Sequence, residues 1–155
     1  MKIVISGLGE VPTTVKLVLD EEKPDVTYLI CSDYQLEHVA TYAGYEQPNE
    51  TMVRAAAKRV GTKLVIKKCD VFDLEATCDA VGEILQQISM DDEIVINYAG
   101  GSAGVKLILG MTGVVLSKFM RAKIVYAIEY PGGLRIVEDQ TKVLGNIFKR
   151  LYELV

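Results

Sequence analysis

The stretch Glu93-Ile94-Val95-Ile96-Asn97-Tyr98-Ala99-Gly100-Gly101-Ser102-Ala103-Gly104-Val105-Lys106 decides how this chain folds. It continues as Leu107-Ile108-Leu109-Gly110-Met111-Thr112-Gly113-Val114-Val115-Leu116. The opening β-branched run is of the kind that makes a fully buried strand. The second part is apolar nearly all round and reads as a buried helix. A strand, a glycine-rich turn and a helix in succession form an anion site. Backbone N–H groups of the turn point outward, the glycines admit a ligand closely, and the helix N-terminus carries partial positive charge. Lys106 adds a full charge in the first turn. A second reading stays open, in which the glycines only let the helix pack tightly on its strand, as is common in doubly wound folds.

The rest of the chain repeats the alternation of strand and helix. Lys2–Ser6 reads as a strand, Gly7-Leu8-Gly9-Glu10-Val11 as its loop, and Pro12 as the first turn of a helix with Val15, Val18 and Leu19 on its apolar face. Val26–Cys31 is a second strand. Ser32–Pro48, polar and rich in tyrosine (Tyr34, Tyr42, Tyr45), is either a short helix or a ligand-facing loop. Asn49 is expected to cap a helix that Gly61 stops. Lys63–Lys67 is a third strand, and Asp73 caps a helix with Leu74, Cys78, Val81, Leu85 and Ile88 at helical spacing. After the central stretch come a fifth strand, Ala122–Ile128, a Pro131-Gly132-Gly133 turn and a returning Leu134–Val137. A last amphipathic helix, Thr141–Val155, gathers Val143, Leu144, Ile147, Phe148, Leu151 and Tyr152 on one face.

This pattern predicts an α/β, doubly wound, mostly parallel sheet in the order 3-2-1-4-5-6, with an antiparallel edge hairpin and a C-terminal helix. Strands 1 and 4 would be neighbours whose connections leave on opposite faces, which is the topological switch point where ligands bind. The Gly7–Glu10 and Gly100–Gly104 loops would then share one crevice. At 155 residues, half of them apolar and a quarter charged, one domain spanning 1–155 is expected. There is no long uncharged apolar run and no signal-like N-terminus, so neither a membrane span nor export is expected. Cys31, Cys69 and Cys78 form no C-x-x-C pair and read as reduced core cysteines of a cytoplasmic protein. The net charge of −4 argues against a face that binds duplex DNA directly.

A dinucleotide cofactor is the default ligand of such a fold, and a nicotinamide- or flavin-dependent oxidoreductase is one alternative. The first loop, however, is G-x-G-x-x-P, without the third glycine, and Glu10 would repel a pyrophosphate. A P-loop fails as well, because Lys106 follows Val105. Neither a metal nor a resident cofactor is expected. The acidic run Asp91-Asp92-Glu93 reads as a solvated loop at the end of the sheet away from the crevice. His38, the only histidine, reads as a surface or loop residue. Thr13 and Thr14 face either the crevice or the surface.

These residues resemble the CARF domain, the Rossmann-like sensor of CRISPR-associated proteins. Asn97 ends the strand, and Ser102-Ala103-Gly104-Val105-Lys106 is similar to that family's Ser/Thr-x-Gly-x-Lys/Arg turn. Ser6-Gly7-Leu8-Gly9-Glu10 matches its Gly-rich first loop. The turn departs from the family in carrying Gly100-Gly101 before Ser102, and in Val105 where Thr is more usual. The closest likeness is to the sensor half of archaeal regulators that join this domain to a winged helix.

The resemblance implies a homodimer that binds a cyclic oligoadenylate, the tetra-adenylate favoured, across its twofold axis in type III CRISPR signalling. The ligand would meet Gly7, Leu8, Gly9, Glu10, Asn97, Gly100, Gly101, Ser102, Ala103, Gly104 and Lys106. The sensor would regulate a separate effector or DNA-binding partner. Its alternative is a metal-independent ring nuclease, with Lys106 stabilising charge and Ser6 or Ser102 orienting the attacking ribose.

Overall fold

The computed structural model describes all residues, 1–155. Its strands are β1 (Lys2–Gly7), β2 (Val26–Cys31), β3 (Lys63–Lys68), β4 (Glu93–Asn97), β5 (Ala122–Glu129) and β6 (Arg135–Asp139). Its helices are α1 (Thr13–Glu22), α2 (Asp33–Glu37), α3 (Asn49–Val60), α4 (Leu74–Leu85), α5 (Ala103–Leu116) and α6 (Thr141–Glu153), with a 3₁₀ turn at Thr41–Ala43. The six strands run in the order β3-β2-β1-β4-β5-β6, parallel except for the antiparallel β5–β6 pair. That is the predicted sheet, including its edge hairpin and its C-terminal helix.

The alternation that builds the two faces is visible in the central strands. Ile3, Ile5, Ile94 and Ile96 pack on one side with Val81, Ile84, Val105 and Leu109 of α4 and α5. Val4 and Val95, one residue out of phase, pack on the other side with Val18 of α1. Since successive strand residues point to opposite faces, a β-branched run fills both layers at once. Leu19, Leu29, Val53 and Ala56 complete the α1–α3 side. At the N-terminal edge of the sheet, buried Glu22 is held by Lys2 at 2.6 Å and Lys123 at 2.7 Å. Burial alone would raise its pKa, but hydrogen bonds from the two lysines win and lower it. No helix is long and apolar enough to cross a membrane.

Several local expectations need correction. Asn49 is not a cap; Pro48 precedes the helix, and the fully buried Asn49 side chain reaches back to the β1 loop. The face that α4 buries is Thr77, Ala80, Val81 and Ile84, a slight rotation that leaves Leu74 and Cys78 exposed. Cys78 is therefore no core cysteine, although Cys31 is, and burial pushes the Cys31 thiol up to about 12. In the acidic run, Asp92 is buried and accepts from the Met1 ammonium and the Ser89 N–H, each at 2.8 Å. The largest correction concerns α5. Its composition is apolar all round, yet Leu107, Met111 and Val115 lie on an exposed flank.

Candidate functional site

Strands β1 and β4 are direct neighbours, with Ser6 in register with Asn97. The Asn97 amide donates to Ser6 Oγ at 2.9 Å, and Ser6 Oγ donates to the Gly7 carbonyl at 2.9 Å. Asn97 Oδ1 in turn accepts from the Ala99 N–H at 3.1 Å and so starts the turn. Both side chains are fully buried. They form the floor that holds the loops together, beneath any surface a ligand would touch.

Above that floor the two loops meet backbone to backbone. A Cβ built on Gly7 would lie 2.5 Å from the Gly100 carbonyl oxygen, and one on Gly100 would lie 2.6 Å from the Gly7 oxygen. Gly101 has φ of +104°, and Gly104 packs where a Cβ would meet Leu74 at 2.9 Å. The glycines are therefore needed for close packing in their own right. Leu8 is fully buried in the core beside Leu29 and Leu36, so its side chain is out of reach.

The turn after β4 leaves donors open. Ser102 caps α5 by accepting from the Val105 N–H, and its hydroxyl donates to the Val71 carbonyl at 2.6 Å. The N–H groups of residues 100–104 meet no acceptor within the chain. Successive free N–H groups at a helix N-terminus form a concavity suited to an anion. The first loop is the converse. Asn49 Nδ2 donates to the Glu10 carbonyl at 2.9 Å and to the Gln35 carbonyl at 2.9 Å, so the carbonyls of this side are occupied.

Gly9, Glu10, Gly101 and Ser102 line a cavity of about 170 Å³, walled on its far side by Ser32, Tyr34, Gln35, Val71 and Phe72. A dinucleotide needs a far larger enclosure than this. The cavity unites residues from loops far apart in sequence, as the switch point requires. Lys106 is not on its wall. It borders a separate apolar groove of about 420 Å³ between α5 and α6, with Leu107, Met111, Val115, Ile147 and Leu151. Lys106 makes no ion pair, whereas Lys67 and Lys68 beyond the cavity are tied to Glu83 and Asp33.

The segment between β2 and α3 contains the short helix expected in Ser32–Pro48: it is α2, capped by a Ser32–Gln35 box. Tyr45 packs inward, bonded to Thr13 Oγ1 at 2.7 Å and covered by Lys16. Tyr34 and Tyr42 remain exposed on either side of a half-buried His38, whose ring lies 5.6 and 6.3 Å from theirs. Thr14 is half-buried, and its Oγ1 is enclosed beside Gly100 without a partner. Phe72 and Gln35 are site residues that no motif marked. The signal for Phe72 was an aromatic in a loop next to a helix-capping Asp73.

A doubly wound α/β domain with a small cavity walled by polar and aromatic residues and an open N–H turn at its switch point is the class these features define. No protein-family model matches the chain, and no curated protein matches it. Solved structures share its fold. One is Enterococcus italicus Csm6 bound to cyclic hexa-2'-fluoro-hexa-dAMP (TM-score 0.63, 17% identity, 84% of this chain and 34% of that one). Another is Can2 from Sulfobacillus thermosulfidooxidans in complex with cyclic tetra-adenylate (TM-score 0.58, 15% identity, 88% of this chain and 36% of that one). A third is a type III CRISPR defence DNA nuclease activated by cyclic oligoadenylate (TM-score 0.51, 13% identity, 86% of this chain and 20% of that one). At such identity the likeness is one of fold, and this chain spans about a third or less of the length of each.

Proposed function

We propose that this chain is a sensor of cyclic oligoadenylate in type III CRISPR signalling, binding the ring as a homodimer and passing the signal to a partner. The observation that carries the reading is the open N–H turn of residues 100–104, set back to back with the first loop at the switch point. The fold is shared with Csm6 and Can2 structures that hold cyclic oligoadenylates. A ring of phosphates and 2′-hydroxyls suits a symmetric pair of such turns. The sensor half of archaeal winged-helix regulators is the model we take for how the domain would act on its partner.

The dimer reading draws on the α5–α6 flank. Leu107, Met111 and Val115 of α5 adjoin Ile147, Phe148 and Leu151 of α6, all with 42–59% of their surface exposed. A continuous apolar groove of this kind marks an interaction surface. A second copy on this flank would carry its own Lys106 to the edge of the interface, so two cations would flank one ring. In one subunit Lys106 stands off the cavity wall; the twofold gives it a phosphate to meet.

Isothermal titration with cyclic tetra- and hexa-adenylate tests the reading, with the tetra-adenylate expected to bind more tightly. Absence of heat from both at micromolar protein would end it. Lys106→Ala should weaken binding by about 1.5–3 kcal/mol, the worth of a hydrogen bond to a charged group. Sedimentation of Met111→Glu is expected to give a monomer where the unaltered chain gives a dimer. No observation favours ring cleavage over binding, since the hydroxyls of Ser6 and Ser102 already donate to carbonyls.

A further inference from the structure

We infer that Tyr34 and Phe72 clamp one purine base of the ligand in the crevice, and that Glu10 and Gln35 read its edge. The inference rests on the oligoadenylate reading and names the part of the site that would choose the base.

Phe72 is 88% exposed and Tyr34 is 60% exposed, yet both line the same small cavity. Their positions are built. The Phe72 N–H donates to Asp70 Oδ1 at 3.0 Å, while Val71, beside it, is buried and held through its carbonyl by Ser102. The peptide unit that leads into the ring is thus pinned through both its carbonyl and its N–H. Tyr34 sits in the first turn of α2, fixed by the Ser32–Gln35 capping box and backed by His38. An aromatic face held out at a cavity mouth stacks on any base, because every base has a π-face.

The polar residues supply a pattern. Gln35 Oε1 is occupied by the Ser32 N–H at 2.9 Å, so the amide end of Gln35, a donor, is the half left for a ligand. Glu10 has one long contact, from Tyr42 Oη at 3.4 Å to Oε2, and its other oxygen is unpartnered. One donor and one acceptor complement a base edge that carries a ring nitrogen beside an exocyclic amine, as adenine does with N1 and N6. The acid that would repel a pyrophosphate has a use against an amine. The cavity volume of about 170 Å³ admits one base and leaves the sugar and phosphate outside, toward the open turn.

The experiment titrates the full chain with three probes: cyclic tetra-adenylate, AMP, and purine riboside 5′-monophosphate, which lacks only the amine. Binding of the monomers is read by saturation-transfer NMR. Tyr34→Ala and Phe72→Ala should each raise the Kd for the ring about tenfold, and Tyr34→Phe should leave it unchanged, because stacking needs the face and not the hydroxyl. Glu10→Ala should abolish the preference for AMP over the purine analogue, a coupling that loss of folding would not reproduce. Undiminished ring binding by both alanine variants, with Lys106→Ala impaired, overturns the clamp and keeps the sensor. AMP bound through Tyr34 and Phe72 with no binding of the ring keeps the clamp and overturns the cyclic ligand. An unaltered chain that binds no probe overturns both.

Discussion

The two glycine loops of the crevice share a residue type and little else. The Gly7–Glu10 loop is stitched from outside, its Glu10 carbonyl filled by buried Asn49 and its Leu8 side chain sunk in the core. The Gly100–Gly104 turn is stitched by Asn97 just before it and by Ser102 within it, and its N–H groups meet no acceptor in the chain. One loop is closed by side chains of the fold, and the other keeps its donors free. The glycines at their contact exist because two backbones touch there, which is a packing requirement before it is a sign of a ligand.

The sharpest way to break this comparison is Gly7→Ala. The new Cβ would sit 2.5 Å from the Gly100 oxygen and 2.7 Å from Val105 Cγ1, so β1 and β4 must separate. A loss of about 3 kcal/mol in urea unfolding is expected, at the upper end of what overpacking costs. Next is Asn49→Ala, which strips the donor from the Glu10 and Gln35 carbonyls. Leaving buried acceptors unpaired should cost about 2 kcal/mol, and faster amide exchange at Gly9 and Glu10 should report a loosened wall. The smallest effect is expected of Gly9→Ala, where the nearest atom to a Cβ is the Gly101 nitrogen at 3.3 Å. A small outward shift accommodates it, for a cost below about 1 kcal/mol in the same unfolding assay. Equal losses at Gly7 and Gly9 would show that backbone contact is not what the glycines serve.

The sheet was legible because its strands are short β-branched runs separated by helices that carry their own caps, such as Asp73 and Gly61. Strand order followed from handedness and from the requirement that consecutive elements pack without crossing. What sequence could not supply was which part of an apolar helix meets the core. Leu107 and Leu109 are the same residue type on α5, yet one is half exposed and the other fully buried. Only the direction of the underlying strands settles that. Asn49 was misread for a related reason: a cap is a local interaction, and the partners of this side chain lie up to forty residues away at Gly9. The cavity wall was hidden likewise, since Phe72, Tyr34 and Gln35 meet only once β2 and β3 stand side by side.

The Ser102 hydroxyl joins the cap of α5 to the loop that carries Phe72. That helix is a rod of 14 residues, about 21 Å long at 1.5 Å per residue. By lever geometry, a tilt of about five degrees around its capped end would move Leu116 by nearly 2 Å. Its outer face bears Leu107, Met111 and Val115 along that same length, so the travel grows steadily from the first of them to the last. Any tilt of this helix about its anchored serine would therefore be largest where the rod ends.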